Sequence, residues 1–245
     1  MNTIEKPTPR YLLRRYEILK HIQKGTNFLE IGSGRLLLSV ELLNYFQSGL
    51  SLDFDPHLKS RAEKLSPEIK QRLTVKNQDF LSLTEHECYD CIVSCEVIEH
   101  IEDDNHFMEK TYHLLKPKGQ VIISVPARMK FWSLHDNIAG HIRRYEKKEL
   151  IDLFLQNNFK DIKIISYGFP FINILRWMRI FLSIRDLKKT EILDQKELTQ
   201  LSNRNNIPYI LGLITNKYIF FPLNLISSIF NKFDLSEGYI IIAKK

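Results

Sequence analysis

The chain has 245 residues, of which 44% are apolar, and this length and composition suffice for a sizeable hydrophobic core. They exclude a disordered chain, and the sequence shows no internal repeat. The formal net charge of +6 is unevenly distributed, because residues 1–125 carry 16 Lys and Arg against 18 Asp and Glu, whereas residues 126–245 carry 19 against 11.

The chain opens with a predicted amphipathic helix. Thr8 and Pro9 give it an N-terminal cap and a first-turn proline, and apolar residues recur with helical spacing from Tyr11 to Ile22, before Gly25. No charged-then-apolar signal pattern precedes this helix. We therefore expect a cytoplasmic protein, with peripheral membrane contact as an option.

A buried strand that breaks into a glycine turn comes next. Residues 28–31 are the apolar run of a parallel strand, and Gly32 and Gly34 let the backbone approach a ligand without obstruction by Cβ atoms. Residues 36–46 follow with helical spacing, so free N–H groups at the start of this helix face whatever lies over the turn. The pattern predicts a ligand-binding turn that favours an anionic group.

Two acids follow at the ends of the next two predicted strands. Asp53 ends the strand at 49–53, about 20 residues after the glycines, where nucleotide-binding units place the acid that accepts ribose hydrogen bonds. The strand at 73–77 is followed by Asp79 and Phe80, a carboxylate and a ring that suit the adenine amino group and ring face. The order predicts an adenosine derivative as the ligand.

Three cysteines lie close together in the order C-x₂-C-x₃-C. Cys88, Cys91 and Cys95 lack the second pair that a four-thiolate metal site needs, and the last two fall in an apolar strand. We expect free thiols, which are consistent with a reducing compartment.

The end of the fourth strand carries two carboxylates and an imidazole. Glu96, Glu99 and His100 are spaced i, i+3 and i+4, so one helical turn would place them on one side. They are candidate ligands for Mg²⁺ or another divalent cation, with His135 or His141 as a fourth ligand. The alternative is a segment that caps a helix and contacts the cofactor, with Glu99 and His100 exposed.

An insertion at 126–145 separates the fifth strand from the next helix, and we interpret it as a substrate lid. Its candidate functional residues are Trp132, His135, His141, Arg143, Arg144 and Tyr145. His141 or His135 could act as general base, as could His100 in the preceding segment, because an imidazole titrates near neutral pH.

Arg143 and Arg144 have two interpretations. They could bind an acidic group of the substrate through bidentate hydrogen bonds, with Tyr145 and Trp132 beside them. Equally, they could form ion pairs with Glu146 and Glu149 at the start of the next helix.

The remaining chain completes an α/β alternation, which predicts a mostly parallel sheet with helices on both faces. The later elements are predicted as strand 90–95, helix 103–116, strand 120–125, helix 146–158, strand 161–167 and strand 238–243. We treat residues 1–245 as one domain, with a cofactor-binding core at 10–168, a helical extension or lid at 169–235, and a final strand within 236–245. The extension is too interrupted for a spanning helix, and its Arg176, Arg179 and apolar neighbours predict a lid, a packing layer or membrane contact.

Four segments together resemble the class I S-adenosylmethionine-dependent methyltransferases: Glu30-Ile-Gly-Ser-Gly34, Leu52-Asp53, Asp79-Phe80 and Tyr89-Asp-Cys-Ile-Val-Ser-Cys-Glu-Val-Ile-Glu-His100. The resemblance covers residues 10 to 170 in order. It implies a doubly wound seven-stranded α/β sheet with the last strand antiparallel, and S-adenosylmethionine as cofactor. It also implies that Glu30 helps to hold the methionine end, Asp53 the ribose and Asp79 the adenine, in a site completed by Gly32, Ser33, Gly34, Phe54, Phe80 and Cys95. Leu36 stands where many members have a third glycine.

Two shorter motifs resemble particular branches. The set E-x-x-E-H at Glu96–His100 is similar to that of metal-dependent methyltransferases acting on the 3′-terminal ribose of small RNAs and to that of ubiquinone-pathway O-methyltransferases, while G-H-x-R-R-Y at Gly140–Tyr145 resembles a branch acting on small molecules. The resemblance implies methyl transfer to a small-molecule acceptor, for which we expect an oxygen of a lipophilic or lipid-linked molecule. The alternatives are RNA ribose 2′-O-methylation, towards which the basic second half points, and a nucleotide-binding module without catalysis.

Overall fold

The computed structural model describes residues 7–177 and 216–245, in which seven strands form one sheet of order β3-β2-β1-β4-β5-β7-β6. The strands are β1 Gly25–Ile31, β2 Phe46–Leu52, β3 Leu73–Lys76, β4 Tyr89–Cys95, β5 Leu115–Pro126, β6 Lys160–Ser166 and β7 Gly238–Lys244. Strands β1 to β5 pair in parallel, whereas β7 is antiparallel to both β5 and β6. The predicted sheet with an antiparallel final strand is confirmed.

Helices cover both faces of the sheet. They are α1 Pro9–His21, α2 Leu37–Leu42, α3 Leu58–Glu63, α4 Pro67–Arg72, α5 Asp104–Leu114, α6 Leu134–Ala139, α7 Lys147–Gln156, α8 at residues 171–177 and α9 Lys217–Ile229. One core cluster joins the sheet to α5 and α7, through Phe107 and Phe154 among others. A second joins the opposite face to α1 and α9, through Leu12 and Phe220. Both faces of the central strands are therefore buried, which explains their continuous apolar sequences.

The helix after the glycine turn is shorter than predicted. Helix α2 has six residues and begins after Leu36, which is buried and has a left-handed φ of 60°. A leucine there meets Cβ strain that a glycine would avoid. This conformation explains why many members of the resembling class have glycine at this position.

Strand β5 begins earlier than the predicted 120–125. Leu115 pairs with Tyr89 before a register shift, and the regular pairing starts at Gln120. Lys118 in between has a positive φ of 64°. The irregular first part of the strand carries the turn residues that sequence patterns assign to a loop.

The extension predicted at 169–235 lies partly outside the described residues, including Met178, Arg179 and Phe181 of its expected apolar face. In the described part, α8 and α9 pack on the sheet face that α1 covers, and α9 contacts α1. None of the helices within 7–177 and 216–245 combines the length and hydropathy needed to cross a membrane.

Candidate active site

The glycine turn lies at the carboxyl end of β1, next to the segment that follows β4. Gly32 has a φ of +74°, and a Cβ atom added there would lie 2.2 Å from Cγ2 of Val97. The backbone N–H groups of Gly32 and Ser33 both donate to the carbonyl oxygen of Leu52, at 2.9 and 3.0 Å. Gly34, with a φ of +48°, has no neighbouring atom within 4 Å of an added Cβ. The turn is therefore packed tightly at Gly32 and open at Gly34.

Asp53 reaches this turn from the end of β2. Its Oδ2 accepts a 2.6 Å hydrogen bond from the Gly34 N–H, and its Oδ1 accepts one of 2.8 Å from the Asp55 N–H. Phe54 beside it is 69% exposed. The predicted ribose-binding acid is thus next to the open part of the turn, as the expected geometry requires.

Glu30 lies underneath the turn, facing α2. It is buried and accepts a hydrogen bond from the Ser39 hydroxyl, which in turn accepts one of 2.9 Å from Ser51. Burial raises the pKa of Glu30 to about 8, and the negative charge of Asp53 adds to this, although the Ser39 hydrogen bond opposes it. The acid is therefore largely protonated at neutral pH.

Asp79 and Phe80 differ in their surroundings. Asp79 is exposed and caps a short helical turn by accepting a 3.0 Å hydrogen bond from the Leu81 N–H. Phe80 is buried, and its ring centroid lies 4.8 Å from that of Phe107 in the core. We expected the ring of Phe80 to offer its face to adenine beside Asp79. The structure corrects this expectation, because an aromatic residue after a parallel strand can equally well pack in the core, as Phe80 does.

The end of β4 is joined to α1 by ion pairs. Glu96, at a positive φ of 58°, lies 2.9 Å from a guanidinium nitrogen of Arg10 and 3.3 Å from one of Arg14, and its Oε1 accepts from Ser124 at 3.2 Å. Burial alone would raise the pKa of Glu96, but the two arginines outweigh it and lower the pKa to about 2. Cys95 next to it is a free thiol whose pKa burial raises to about 11.

Glu99 has a different environment. It is fully buried, and neither carboxylate oxygen has a hydrogen-bond partner within the described residues. Burial, with the neighbouring Glu96, raises the pKa of Glu99 well above its ordinary value. Its Oε1 lies 3.8 Å from Nε2 of His141. A buried carboxyl group with both oxygens unpaired is costly, and such groups are commonly completed by a ligand.

The candidate metal ligands differ from those predicted. Glu99, His100 and His141 each offer a ligand atom within 4.8 Å of the others, whereas Glu96 is occupied by Arg10 and Arg14. The structure thus replaces Glu96 by His141 in the candidate set. Nδ1 of His100 lies 3.0 Å from the Gly140 carbonyl oxygen.

Asp136, which the sequence analysis did not single out, orients His141. This fully buried carboxylate lies 2.9 Å from Nδ1 of His141 and accepts 2.8 Å from Nε of Arg144, while its other oxygen accepts from the N–H and hydroxyl of Ser133. Burial opposes ionisation, but these donors hold the pKa of Asp136 well below its usual range. The capping box formed by Ser133 and Asp136 was visible in the sequence and predicts a helix start there. Only the folded structure brings Asp136, at the start of α6, next to His141.

The predicted substrate-binding residues are mostly engaged inside the protein. Arg143 donates to Asp104 at 2.5 Å and Arg144 to Asp136, so neither pairs with Glu146 or Glu149 as the alternative interpretation expected. Those two acids instead cap α7. The reason is that Arg143 and Arg144 reach Asp104 of α5 and Asp136 of α6.

Two aromatic residues and a histidine complete the predicted set. Tyr145 is buried, and its hydroxyl donates 3.0 Å to Asp104. Trp132 is half-buried and donates 3.0 Å from its indole nitrogen to Asn137. His135 lies half-buried on α6 and is not among the three candidate metal donors. Of the predicted lid residues, the structure therefore brings His141 to Glu99, at the end of β4.

Arg176 of α8 lies against the lid instead of facing outwards. Its guanidinium lies over the ring of Phe131, 5.3 Å from the centroid, and is 3.6 Å from the buried Glu237 at the start of β7. Glu237 also lies 3.6 Å from Arg10. The extension and α1 are thus joined through one buried carboxylate.

A mostly parallel sheet with this strand order and an antiparallel β7, together with a glycine turn and a strand-end acid, defines the class I methyltransferase fold, in which the ligand lies at the carboxyl ends of the strands. Residues 6–164 match the family model described as methyltransferase domain, and the chain belongs to this family. The prediction of a methyltransferase domain is thereby confirmed.

Known proteins are similar to this chain over different extents. A protein of Mycolicibacterium smegmatis described as a probable S-adenosylmethionine-dependent methyltransferase is 25% identical over 157 residues, which are 61% of this chain and 60% of that protein. Phosphoethanolamine N-methyltransferase 2 of Haemonchus contortus, solved with S-adenosyl-L-methionine, has a TM-score of 0.56 at 17% identity, covering 100% of this chain and 54% of that one. A proposed methyltransferase in complex with the Haloferax volcanii Trm112 methyltransferase activator has a TM-score of 0.60 at 12% identity, covering 96% and 89%. At these identities, the structural likenesses show the fold alone.

Proposed function

We propose that this chain transfers the methyl group of S-adenosylmethionine to a hydroxyl oxygen of a small lipophilic acceptor. The observation that carries the proposal is the pair Asp136–His141, directed at the buried Glu99. With Nδ1 of His141 donating to Asp136, Nε2 keeps its lone pair and can accept the proton of an acceptor hydroxyl. His141 would take up the acceptor's proton at Nε2, while bound S-adenosylmethionine would supply the methyl group, whose bond to sulfur would break as the bond to the acceptor oxygen forms and S-adenosylhomocysteine leaves.

The residues around the glycine turn fit the cofactor. The open space over Gly34 and the half-exposed carboxylate of Asp53 offer room and a ribose acceptor on the same side of the turn. Glu30 below them supplies a carboxyl group that can ionise opposite a positively charged amino group. The cofactor would supply an electrophilic methyl group, and Glu30, Gly34 and Asp53 would hold the cofactor.

The donors at the end of β4 also fit a divalent cation. Glu99 provides buried unpaired oxygens, His100 and His141 provide ring nitrogens, and Asp136 fixes the His141 ring from behind, as outer carboxylates do for metal-ligating histidines. Two imidazoles with one carboxylate suit Mn²⁺, Fe²⁺ or Zn²⁺ better than Mg²⁺, which prefers oxygen ligands. A bound cation would lower the pKa of an acceptor hydroxyl.

A lipophilic acceptor is supported by the surface near the lid. Met129, Leu134 and Ile142 within the 126–145 segment are exposed apolar residues, as is Trp177 of α8. Arg143 and Arg144 are paired with acids of the protein, so they no longer support an acidic substrate group. RNA ribose methylation rests on the basic second half of the chain and stays a prediction from charge.

The test is product formation with defined hydroxyl acceptors. We expect S-adenosylhomocysteine to form with 4-alkylcatechols and to form faster as the alkyl chain lengthens. His141→Ala and Glu99→Gln should each lower kcat by roughly 10²-fold or more, because both remove a group next to the reacting hydroxyl. His113→Ala, at an exposed position of α5, is the matched control and should behave like the wild type.

Chelation separates the two roles of His141. If it is a metal ligand, a chelator abolishes turnover and Mn²⁺ restores it; if it acts as a base alone, the chelator has no effect. Formation of no methylated product from any hydroxyl acceptor, by an enzyme that binds S-adenosylmethionine, would contradict the proposal.

A further inference from the structure

Helix α9 has the inverse of the polarity that a water-exposed helix normally shows. The side chains on its outward face are large and apolar, and those of Tyr218, Ile219, Phe221, Leu225, Ile226 and Ile229 are between 45% and 74% exposed. The inward face includes the polar residues Asn224 and Ser227, which are buried. A helix that faces water normally places its polar residues outwards.

The inward polar residues fix this orientation. The Ser227 hydroxyl accepts a 2.9 Å hydrogen bond from the Gly168 N–H, and the Ser228 hydroxyl donates 2.7 Å to the Glu17 carboxylate of α1. Phe220 packs into the core between them and α1. Rotating the helix to hide its apolar face would break these contacts, so that face remains outward.

The apolar surface continues beyond the helix. Phe233 and Leu235, just after α9, are 58% and 41% exposed, and on α8 Ile174 and Trp177 are 63% and 69% exposed. The Asn173 side chain donates 2.9 Å to the Leu235 carbonyl oxygen, which joins the two segments. Contiguous apolar surface of this kind marks a site of interaction.

The charges around the surface indicate an anionic partner. The sequence from 216 to 233 contains no Asp or Glu, Lys232 is exposed, and Asp234, between Phe233 and Leu235, lies 3.6 Å from the guanidinium of Arg128. On the other side, the Lys20 ammonium lies over the Tyr16 ring, 5.6 Å from its centroid, and Tyr16 meets Phe221 edge-on at 6.2 Å. Aromatic and aliphatic side chains bordered by lysines are the pattern of a helix that lies in a lipid interface.

We propose that the outward face of α9 docks on an anionic lipid surface. The inference rests on the proposed lipophilic acceptor, to which it adds the surface from which that acceptor would be reached. It also corrects the expectation that Arg176 meets lipid phosphates, because Arg176 is engaged by Phe131 and Glu237. The lysines at the edges of α9 take that role here, and their attraction to anionic lipid weakens with salt.

Co-sedimentation with vesicles tests the proposal. The full chain should bind vesicles of phosphatidylcholine with phosphatidylglycerol, bind pure phosphatidylcholine more weakly, and lose affinity at high salt. Leu225→Ser combined with Ile226→Ser should weaken binding about tenfold or more, because two side chains no longer enter the apolar layer. Leu155→Ser, at a 56% exposed position of α7, is the matched control and should bind like the wild type.

Charge reversal provides an independent test of the docking proposal. Lys20→Glu with Lys232→Glu should reduce binding to anionic vesicles but not to neutral ones, whereas Lys59→Glu on α3 should change neither. Binding of S-adenosylmethionine, measured by calorimetry, should stay unchanged in every variant, which separates failure of this proposal from failure of the proposed function.

Three results would overturn the docking proposal. The first is absence of wild-type binding to anionic vesicles. The second is a dimer in solution that Leu225→Ser with Ile226→Ser dissociates, which would assign the face to a second copy. The third is a loss of thermal stability in that variant with vesicle binding intact, which would assign the face to contacts within the chain.

Discussion

Glu30 is an acid at the base of the cofactor turn that is almost inaccessible to solvent. Its raised pKa means that the folded protein holds a proton which the unfolded chain would release. A group of this kind contributes stability below its unfolded pKa of 4.5 and loses that contribution as the pH rises through about 8. Neutral pH lies within this window, so part of that contribution to stability is already lost there.

Replacing Glu30 tests this directly. Glu30→Gln keeps a hydrogen-bond acceptor for Ser39 but cannot titrate. The free energy of unfolding of the wild type should therefore fall across this window by up to about 1.4 kcal/mol per pH unit, whereas that of Glu30→Gln should not show this fall. Urea unfolding at about pH 5 and about pH 8 is the measurement. Glu63→Gln on the exposed side of α3 is the control. Equal pH dependence in the wild type and Glu30→Gln would place the Glu30 pKa near its ordinary value.

At the scale of elements, the 126–145 segment is joined to α5 through the carboxylate of Asp104. Asp104, at the first turn of α5, accepts from both the Arg143 guanidinium and the Tyr145 hydroxyl. Removing it would leave the buried Tyr145 hydroxyl with the Ile98 carbonyl, 3.4 Å away, as its remaining partner. The 126–145 segment thus depends on contacts distant in sequence.

Asp104→Ala should therefore lower the free energy of unfolding by about 1 to 3 kcal/mol, because Arg143 loses its carboxylate partner and the buried Tyr145 hydroxyl keeps only its longer hydrogen bond to the Ile98 carbonyl. Asp152→Ala provides the comparison, because its partner Lys148 is exposed and such pairs contribute little. Denaturant titration of both variants is the measurement. Equal stability of the two would show that the lid is held by other contacts.

The elements also show what the sequence could predict. Strands β1, β4 and β7 each contain an apolar run, at 28–31 interrupted by Glu30, at 91–93 and at 239–243, and strands buried on both faces require such runs, so they were recognisable. The acid and glycines around Gly32 lie within one local segment and could be assigned together. In contrast, the pairing of Glu96 with Arg10 joins residues far apart in the chain, and no local pattern indicates it. The spacing of Glu96, Glu99 and His100 predicted a shared side, but the positive φ of Glu96 turns its carboxylate towards α1.

At the scale of the whole molecule, the sheet gathers the functional candidates at one edge. The turn after β1, Asp53 after β2, Glu99 after β4 and His141 after β5 all follow the carboxyl ends of parallel strands. The basic second half of the chain supplies α9, which carries one lysine, Lys217, and no acids. The first half of the chain thus contains the glycine turn and Asp53, and the second half contains the 126–145 segment and the apolar outward face of α9.

Calorimetric titration with S-adenosylmethionine tests the central claim most directly. The wild type should bind it, and Asp53→Asn, which keeps an oxygen for the Gly34 N–H but loses the charge, should weaken binding by about 1 to 3 kcal/mol. Asp161→Asn, at an exposed position of β6, should bind like the wild type. Absence of binding by the folded wild type, or equal affinity of Asp53→Asn and the wild type, would contradict the assignment of this turn as the cofactor site.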